Sequence, residues 1–234
     1  MKQLEIALPK SRTHGGARAG AGRKRDPNRK DPLHAKRPKV SRHEPQHTVL
    51  RVRKDVGRLR RGKVYRALRK TLSRMLGRLG FQVCHVSIQH NHLHLIVEAA
   101  GKDALRRGMQ GFAISAAKAI NKVMKRSGKV FEFRYHATAI KSPRQARHAL
   151  SYVLNNWRRH NEDERARASY DAVIDPYSTA RQFQGWKETQ LAVMPPGFES
   201  LDPLEVSPPR TWLLTVGWQK HGKISAYMTP GPLP

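Results

Sequence analysis

The chain has 234 residues, of which 46 are Lys or Arg and 17 are Asp or Glu, so its formal net charge at pH 7 is +29. This excess of positive charge favours a polyanionic partner, because self-repulsion otherwise opposes a compact fold. No apolar run approaches the roughly 20 residues of a membrane-spanning helix, which disfavours a membrane partner. Cys84 is the single cysteine, which excludes an intrachain disulfide and a thiolate zinc cluster.

The composition changes along the chain and predicts three regions. Residues 1–45 combine Gly, Pro and clustered Arg and Lys with few apolar residues, which is typical of a disordered basic arm that binds DNA phosphates. A solubilising tail is the alternative. Residues 46–160 carry the apolar patterns of one folded domain. Residues 161–234 form a Pro-rich C-terminal extension of unknown role, which either packs partly on the domain or contacts DNA.

The folded region is predicted to contain four strands and three helices. In chain order we expect a strand at 47–53, a basic helix at about 64–79 and an antiparallel hairpin of strands 81–89 and 92–99. A helix at about 103–126, a strand at 129–140 and a helix at 142–160 follow. This β-α-β-β-α-β order predicts an α+β protein with the ferredoxin-like split βαβ fold. That fold is an antiparallel sheet with helices on one face, and here an additional C-terminal helix follows it.

The first helix is predicted from apolar residues at helical spacing. Gly80 lies where a helix end favours a left-handed residue. The predicted apolar stripe consists of Val64, Leu68, Leu72, Met75, Leu76 and Leu79.

The third predicted strand contains histidines at alternate positions, in the sequence HNHLHLIVEA. Because side chains alternate between the faces of a strand, His92 and His94 share one face, while Leu93, Leu95 and Val97 point to the other. Two imidazoles at this spacing can hold a metal ion or a phosphate. A solvated sheet face is the alternative.

The last predicted helix carries a tyrosine outside its apolar stripe. Ser142 is a suitable N-cap residue for this helix. Tyr152 lies off the stripe, and Asn156 lies one turn further on, at i+4. The stripe itself comprises Ala146, Ala149, Leu150, Val153, Leu154 and Trp157.

His92-Leu93-His94 on a central strand, followed by Tyr-x-x-x-Asn on a helix, resembles the HUH single-tyrosine transposases. The chain is most similar to the REP-associated tyrosine transposases, over roughly residues 46–160. The resemblance implies that His92, His94 and Asn156 hold Mg²⁺ or Mn²⁺. It also implies that Tyr152 attacks a phosphate of single-stranded DNA, giving a 5′-phosphotyrosine and a free 3′-hydroxyl for strand transfer.

The resemblance also suggests an oligomeric state and a DNA substrate. REP-associated relatives suggest a monomer acting on hairpin-forming DNA, whereas mobile-element relatives suggest a dimer, so the oligomeric state stays open. We expect a cytoplasmic, nucleoid-associated protein. The basic residues expected to bind DNA are Arg18, Arg23, Lys24, Arg25, Arg51, Arg53, Arg60, Arg61 and Lys63.

Two other functions compete with the transposase interpretation. One is a DNA-binding protein without catalysis, whose HUH site is degenerate. The other is a histidine-triad nucleotide hydrolase with His94 as the nucleophile, although Asn91 stands where that motif needs an apolar residue. Only the transposase forms a phosphotyrosine bond to DNA.

Overall fold

The structure is a computed structural model that describes residues 39–162, 174–188, 198 and 201–231. Most of the predicted basic arm lies outside these ranges, and so do four of the predicted DNA-binding residues. Those four are Arg18, Arg23, Lys24 and Arg25. Val40 packs against the core, so the packed part of the described chain begins before the first strand.

The described residues form four strands, four α-helices and three short 3₁₀ helices. The strands are β1 Gln46–Arg51, β2 Phe81–Ile88, β3 His92–Ala99 and β4 His136–Ala139. The α-helices are α1 Gly62–Ser73, α2 Lys102–Met124, α3 Pro143–Arg159 and α4 Trp212–Thr215. The 3₁₀ helices are Lys54–Val56, Thr179–Gln182 and Gly217–His221.

The four strands form one antiparallel sheet in the order β2-β3-β1-β4. This is the strand order of the ferredoxin-like fold, so the predicted α+β class is confirmed. Helices α1 and α2 cover one face of the sheet, which we call the apolar face. Leu93, Leu95 and Val97 of β3 lie there, packed with Leu68 of α1 and Phe112 of α2.

Helix α3 covers the opposite face, which we call the polar face. Its apolar stripe is buried as predicted, and Leu150 and Val153 pack with Ile96 of β3. The side chain of Ser142 accepts a hydrogen bond from the Gln145 backbone N–H, so the predicted N-cap is confirmed.

Residues of the C-terminal extension also pack against the domain. Trp186, Leu213 and Trp218 join α3 in the cluster on the polar face, whereas Leu204 joins the core on the apolar face. Arg60 forms a buried bidentate ion pair with Asp175 of the extension, at 2.9 and 3.1 Å. None of the helices in the described ranges combines the length and the apolar character needed to cross a membrane.

The prediction for the first helix was wrong at its C-terminal end. Helix α1 ends at Ser73, and turns follow, because Gly77 and Gly80 adopt positive φ angles of 69° and 71° that reverse the chain. Leu76 and Leu79 consequently leave the apolar stripe and are 42% and 97% exposed. Helical spacing alone does not show where a helix stops.

The prediction for the fourth strand was too long. Only His136–Ala139 pair continuously with β1, although 129–140 was expected. Residues before β4 make isolated contacts instead: Phe131 bridges Val52, and the Glu132 N–H donates to the Arg51 carbonyl oxygen. Val130 and Phe131 are nevertheless buried, so their apolar character reflects packing rather than a strand.

Candidate active site

His92 and His94 lie together on the polar face at the start of β3. Their rings are 4.6 Å apart and nearly perpendicular. In the sheet register His92 faces Arg51 of β1, and His94 faces Val49. The predicted alternation of β3 is confirmed, because Leu93 lies in the core on the other side.

Tyr152 projects from α3 toward these histidines. Its ring makes edge contacts with His94 at 5.3 Å and with His47 at 6.0 Å. Partial burial raises the pKa of Tyr152, and the positive charge of Arg159 opposes that rise. The phenol is therefore protonated at neutral pH and is a weak nucleophile unless its proton is removed.

His47 of β1 belongs to this group, and the sequence interpretation did not include it. Its Nε2 lies 3.0 Å from Nδ1 of His94, and both rings are buried. The pKa of His47 is lowered to about 4, mainly by burial and in part by His136 and His92. Alternation along the strand places His47 on the face of Val49 and Arg51, but only the register across the sheet brings it to His94.

His92 is held by its neighbour in the hairpin turn. Its Nδ1 lies 2.7 Å from Oδ1 of Asn91. An amide oxygen only accepts hydrogen bonds, so Nδ1 of His92 carries the proton and Nε2 keeps a lone pair. Burial lowers the pKa of His92 to about 4, with His160 and Arg51 adding to the effect.

Several buried polar atoms of β3 and of the Tyr152 side of α3 have no partner within the described residues. They are Nε2 of His94 and both the oxygen and the nitrogen of the Asn156 amide. His94 is 4% exposed, and burial lowers its pKa well below the ordinary value, so the ring is neutral. If Nδ1 of His94 donates to His47, Nε2 is left with a lone pair for a ligand.

These residues fit a divalent cation. Two neutral imidazoles and one amide oxygen can coordinate such a cation, although Mg²⁺ and Mn²⁺ prefer more oxygen ligands. His47 orients the ring of His94 as outer partners of metal-bound histidines do. In the described ranges no group of three or more His, Cys, Asp or Glu is arranged to hold a metal ion. The third ligand would therefore be the amide of Asn156, as the resemblance implies.

Other polar residues of the same face have separate roles. Glu98 accepts hydrogen bonds from the Gln82 side chain, from the backbone N–H groups of Arg210 and Thr211, and from the Thr211 hydroxyl. Glu98 therefore anchors the extension. His85 is buried against Phe183, with its Nδ1 3.3 Å from the hydroxyl oxygen of Thr179.

The predicted DNA-binding residues of the described domain differ in whether their charged groups are free to contact DNA. The guanidinium of Arg60 is buried and bonded to Asp175 and to the Ile88 carbonyl oxygen, so it is engaged within the protein. Arg51, Arg61 and Lys63 are exposed. Arg53 is also exposed and pairs with Asp55 at 2.9 Å.

A basic groove lies between α1 and α2. The sequence analysis did not predict it. Its volume is about 650 Å³. Arg69 pairs there with Glu205 at 2.7 Å. Six exposed cations along the groove have no carboxylate partner within the described residues: Lys63, Arg66, Lys70, Arg74, Lys118 and Lys122.

The folded domain is similar to a family of known proteins. Residues 43–156 match the family described as "Transposase IS200 like". The match covers just under half of the chain. It supports the resemblance to the HUH-type tyrosine transposases that the sequence carries.

Among solved structures, the chain is similar to the REP-associated tyrosine transposase bound to a REP hairpin, with 14% sequence identity and a TM-score of 0.44. The match covers 64% of this chain and 84% of that chain. No curated protein matches the chain.

Proposed function

We propose that this protein is a transposase that cleaves single-stranded DNA and transfers the strand through a 5′-phosphotyrosine intermediate on Tyr152. The observation that carries the proposal is the contact between the Tyr152 ring and His94, whose Nε2 is buried without a partner in the described part of the chain. A nucleophile and a vacant ligand atom therefore belong to one site. Hairpin-forming DNA is the proposed substrate.

The chemistry is a pair of phosphoryl transfers. The oxygen of Tyr152 loses its proton and attacks the scissile phosphorus, so a P–O bond to tyrosine forms as the bond to the 3′ oxygen breaks. The released strand ends in a 3′-hydroxyl. A 3′-hydroxyl of another strand then attacks the phosphotyrosine and regenerates the phenol, so no nucleotide cofactor is consumed.

His92, His94 and Asn156 are proposed to hold Mg²⁺ or Mn²⁺. A bound divalent cation supplies charge stabilisation to the non-bridging phosphate oxygens and positions the phosphate for the tyrosine. Burial keeps the imidazoles neutral, and His47 fixes the ring of His94 through its 3.0 Å contact. Arg51, directly opposite His92 on β1, adds positive charge beside the site.

Binding of DNA is proposed to depend on exposed cations. On the described domain these include Arg51, Arg53, Arg61 and Lys63, together with the other cations of the basic groove. In the arm they are Arg18, Arg23, Lys24 and Arg25. Neutralising phosphates gives affinity that does not depend on sequence and falls as salt rises. Arg60 is left out, because Asp175 holds its guanidinium.

Replacing the nucleophile tests the proposed chemistry. The wild-type protein should form a covalent adduct with a 3′-labelled, hairpin-containing oligonucleotide, because the 5′ phosphate of the cleaved strand stays on the protein. Tyr152→Phe should form none and should bind the oligonucleotide with nearly unchanged affinity, since only the hydroxyl is lost. Tyr227→Phe, at an exposed tyrosine, is the matched control and should form the adduct normally.

Two outcomes would contradict the proposal. Adducts that persist in Tyr152→Phe would assign the nucleophile to another residue. Wild-type protein that binds the oligonucleotide without forming an adduct, with Mg²⁺ or Mn²⁺ present, would favour the DNA-binding function without catalysis.

A further inference from the structure

Gln89 is a buried polar residue next to the site that neither the sequence interpretation nor the proposed chemistry uses. It follows β2 directly and is 1% exposed. Its amide nitrogen donates a hydrogen bond of 2.6 Å to the hydroxyl of Ser87. Its amide oxygen, Oε1, is buried and has no partner within the described residues.

The register of the hairpin places this amide beside the histidines. Ile88 is paired with Leu93, and the Gln89 N–H donates to the His92 carbonyl oxygen at 2.9 Å, so Gln89 lies opposite His92. Residues directly opposite in an antiparallel pair project from the same face. Ser87, which anchors the amide, lies opposite His94. Gln89 therefore belongs to the polar face and borders both histidines.

Three of the unpartnered buried atoms of this face are acceptors. Oε1 of Gln89, Oδ1 of Asn156 and Nε2 of neutral His94 can each accept a hydrogen bond or bind a cation, whereas Nδ2 of Asn156 and Nε1 of Trp157, also unpartnered in the described residues, are donors. Buried acceptors without partners are rare in folded proteins, because each loses its interactions with water. The three acceptors lie on the face covered by α3, where one positively charged ligand would satisfy all three.

We propose that Oε1 of Gln89 is a further ligand of the divalent cation that His92, His94 and Asn156 are proposed to hold. The inference rests on that proposed function. Mg²⁺ and Mn²⁺ prefer oxygen ligands, so two imidazoles with a single amide oxygen form a poor set for them. A second amide oxygen gives two nitrogen and two oxygen ligands and leaves positions for water and the scissile phosphate. The anchor on Ser87 holds the amide in place for this contact.

The test measures Mn²⁺ binding to the full chain without DNA, from the electron paramagnetic resonance signal of free Mn²⁺. Gln89→Met keeps the side-chain length but removes the oxygen, and its Kd for Mn²⁺ should rise about tenfold or more. Gln89→Glu supplies a charged oxygen at the same place and should bind Mn²⁺ more tightly than the wild type. Gln110→Met, on the exposed side of α2, is the control and should bind like the wild type.

Thermal unfolding gives a second readout that does not depend on activity. A cation that binds only the folded state raises Tm by an amount that grows with the logarithm of its affinity, so at the same concentration Mn²⁺ should raise the Tm of Gln89→Met less than that of the wild type. Gln89→Met also removes the amide nitrogen that donates to Ser87, so its Tm without metal is the baseline for the shift. The variant should remain folded, because it loses a single side-chain hydrogen bond and an oxygen that has no partner in the described part of the chain.

The outcomes separate this inference from the proposed function. If His94→Ala abolishes Mn²⁺ binding but Gln89→Met and Gln89→Glu bind like the wild type, Gln89 is not a ligand, and the cation site itself stands. If the wild type binds no Mn²⁺, or if His94→Ala leaves binding unchanged, the cation site is wrong and the inference falls with it.

Discussion

The two faces of the sheet are built from the same strands but differ in what they bury. On the apolar face, Leu93, Leu95 and Val97 of β3 pack against α1 and α2. On the polar face, His92 and His94 of the same strand lie with His47 under α3, close to Tyr152. The apolar face is held mainly by packing. The polar face keeps buried polar atoms without partners in the described residues, and such atoms in folded proteins are normally bonded to an ordered water or a ligand.

This difference separates residues that stabilise the domain from residues that are proposed to act on DNA. Neighbouring positions of one strand should therefore respond to substitution in opposite ways. His94 and Leu95 offer the most direct comparison, because both are buried and adjacent in sequence.

The largest expected effect is on the polar face. His94→Ala should lower DNA cleavage to the detection limit, because it removes a proposed cation ligand together with the partner of His47. Excess chelator should have the same effect on the wild type. Adduct formation with labelled single-stranded DNA measures both. Cleavage at the full rate in excess chelator would exclude the role of the metal.

Leu95→Ala should instead destabilise the domain. Leu95 is fully buried in the core of the apolar face, and truncation of such a leucine costs about 2–5 kcal/mol in free energy of unfolding. Urea unfolding measures that loss. At a temperature where the variant remains folded, its adduct formation should be close to that of the wild type. A stable Leu95→Ala protein without activity would contradict the division between the faces.

Acid should weaken the polar face through His85. Burial lowers the pKa of His85 from 6.5 to about 4, so between these values the unfolded chain binds more protons than the folded one. Stability should therefore fall as pH drops from about 6.5 to 4, by on the order of 3 kcal/mol from this residue. Urea unfolding of His85→Phe across this range should show a shallower dependence on pH. His90→Phe, at an exposed histidine, is the control and should keep the wild-type dependence.

The smallest expected effect concerns the basic groove beside the apolar face. Lys63→Gln should weaken DNA binding uniformly across sequences and reduce the log–log salt slope by about 0.7–0.9, the value for one phosphate contact. Titration of labelled oligonucleotides at several salt concentrations measures this slope. Lys129→Gln, at an exposed residue outside the groove, is the control. An unchanged slope in Lys63→Gln would place the DNA elsewhere.

The sequence by itself determined the element order, the class of fold and part of the site. Alternation along β3 assigned His92 and His94 to one face and the leucines to the other, and helical spacing set Tyr152 apart from the stripe of α3. These patterns are local, because the periods of strands and helices depend only on the backbone. The same local patterns did not show that α1 stops at Ser73, since the turns there depend on the positive φ angles of Gly77 and Gly80.

Only the tertiary structure decided which distant residues join the site. His47 contacts His94 across 47 positions of sequence, and Gln89 reaches His92 through the hairpin register. In the sequence Arg60 is not distinguishable from the exposed cations near it, but in the structure it is paired with Asp175, 115 residues away. Strand pairing and the packing of the extension set these contacts, and both depend on long-range partners that local periodicity does not encode.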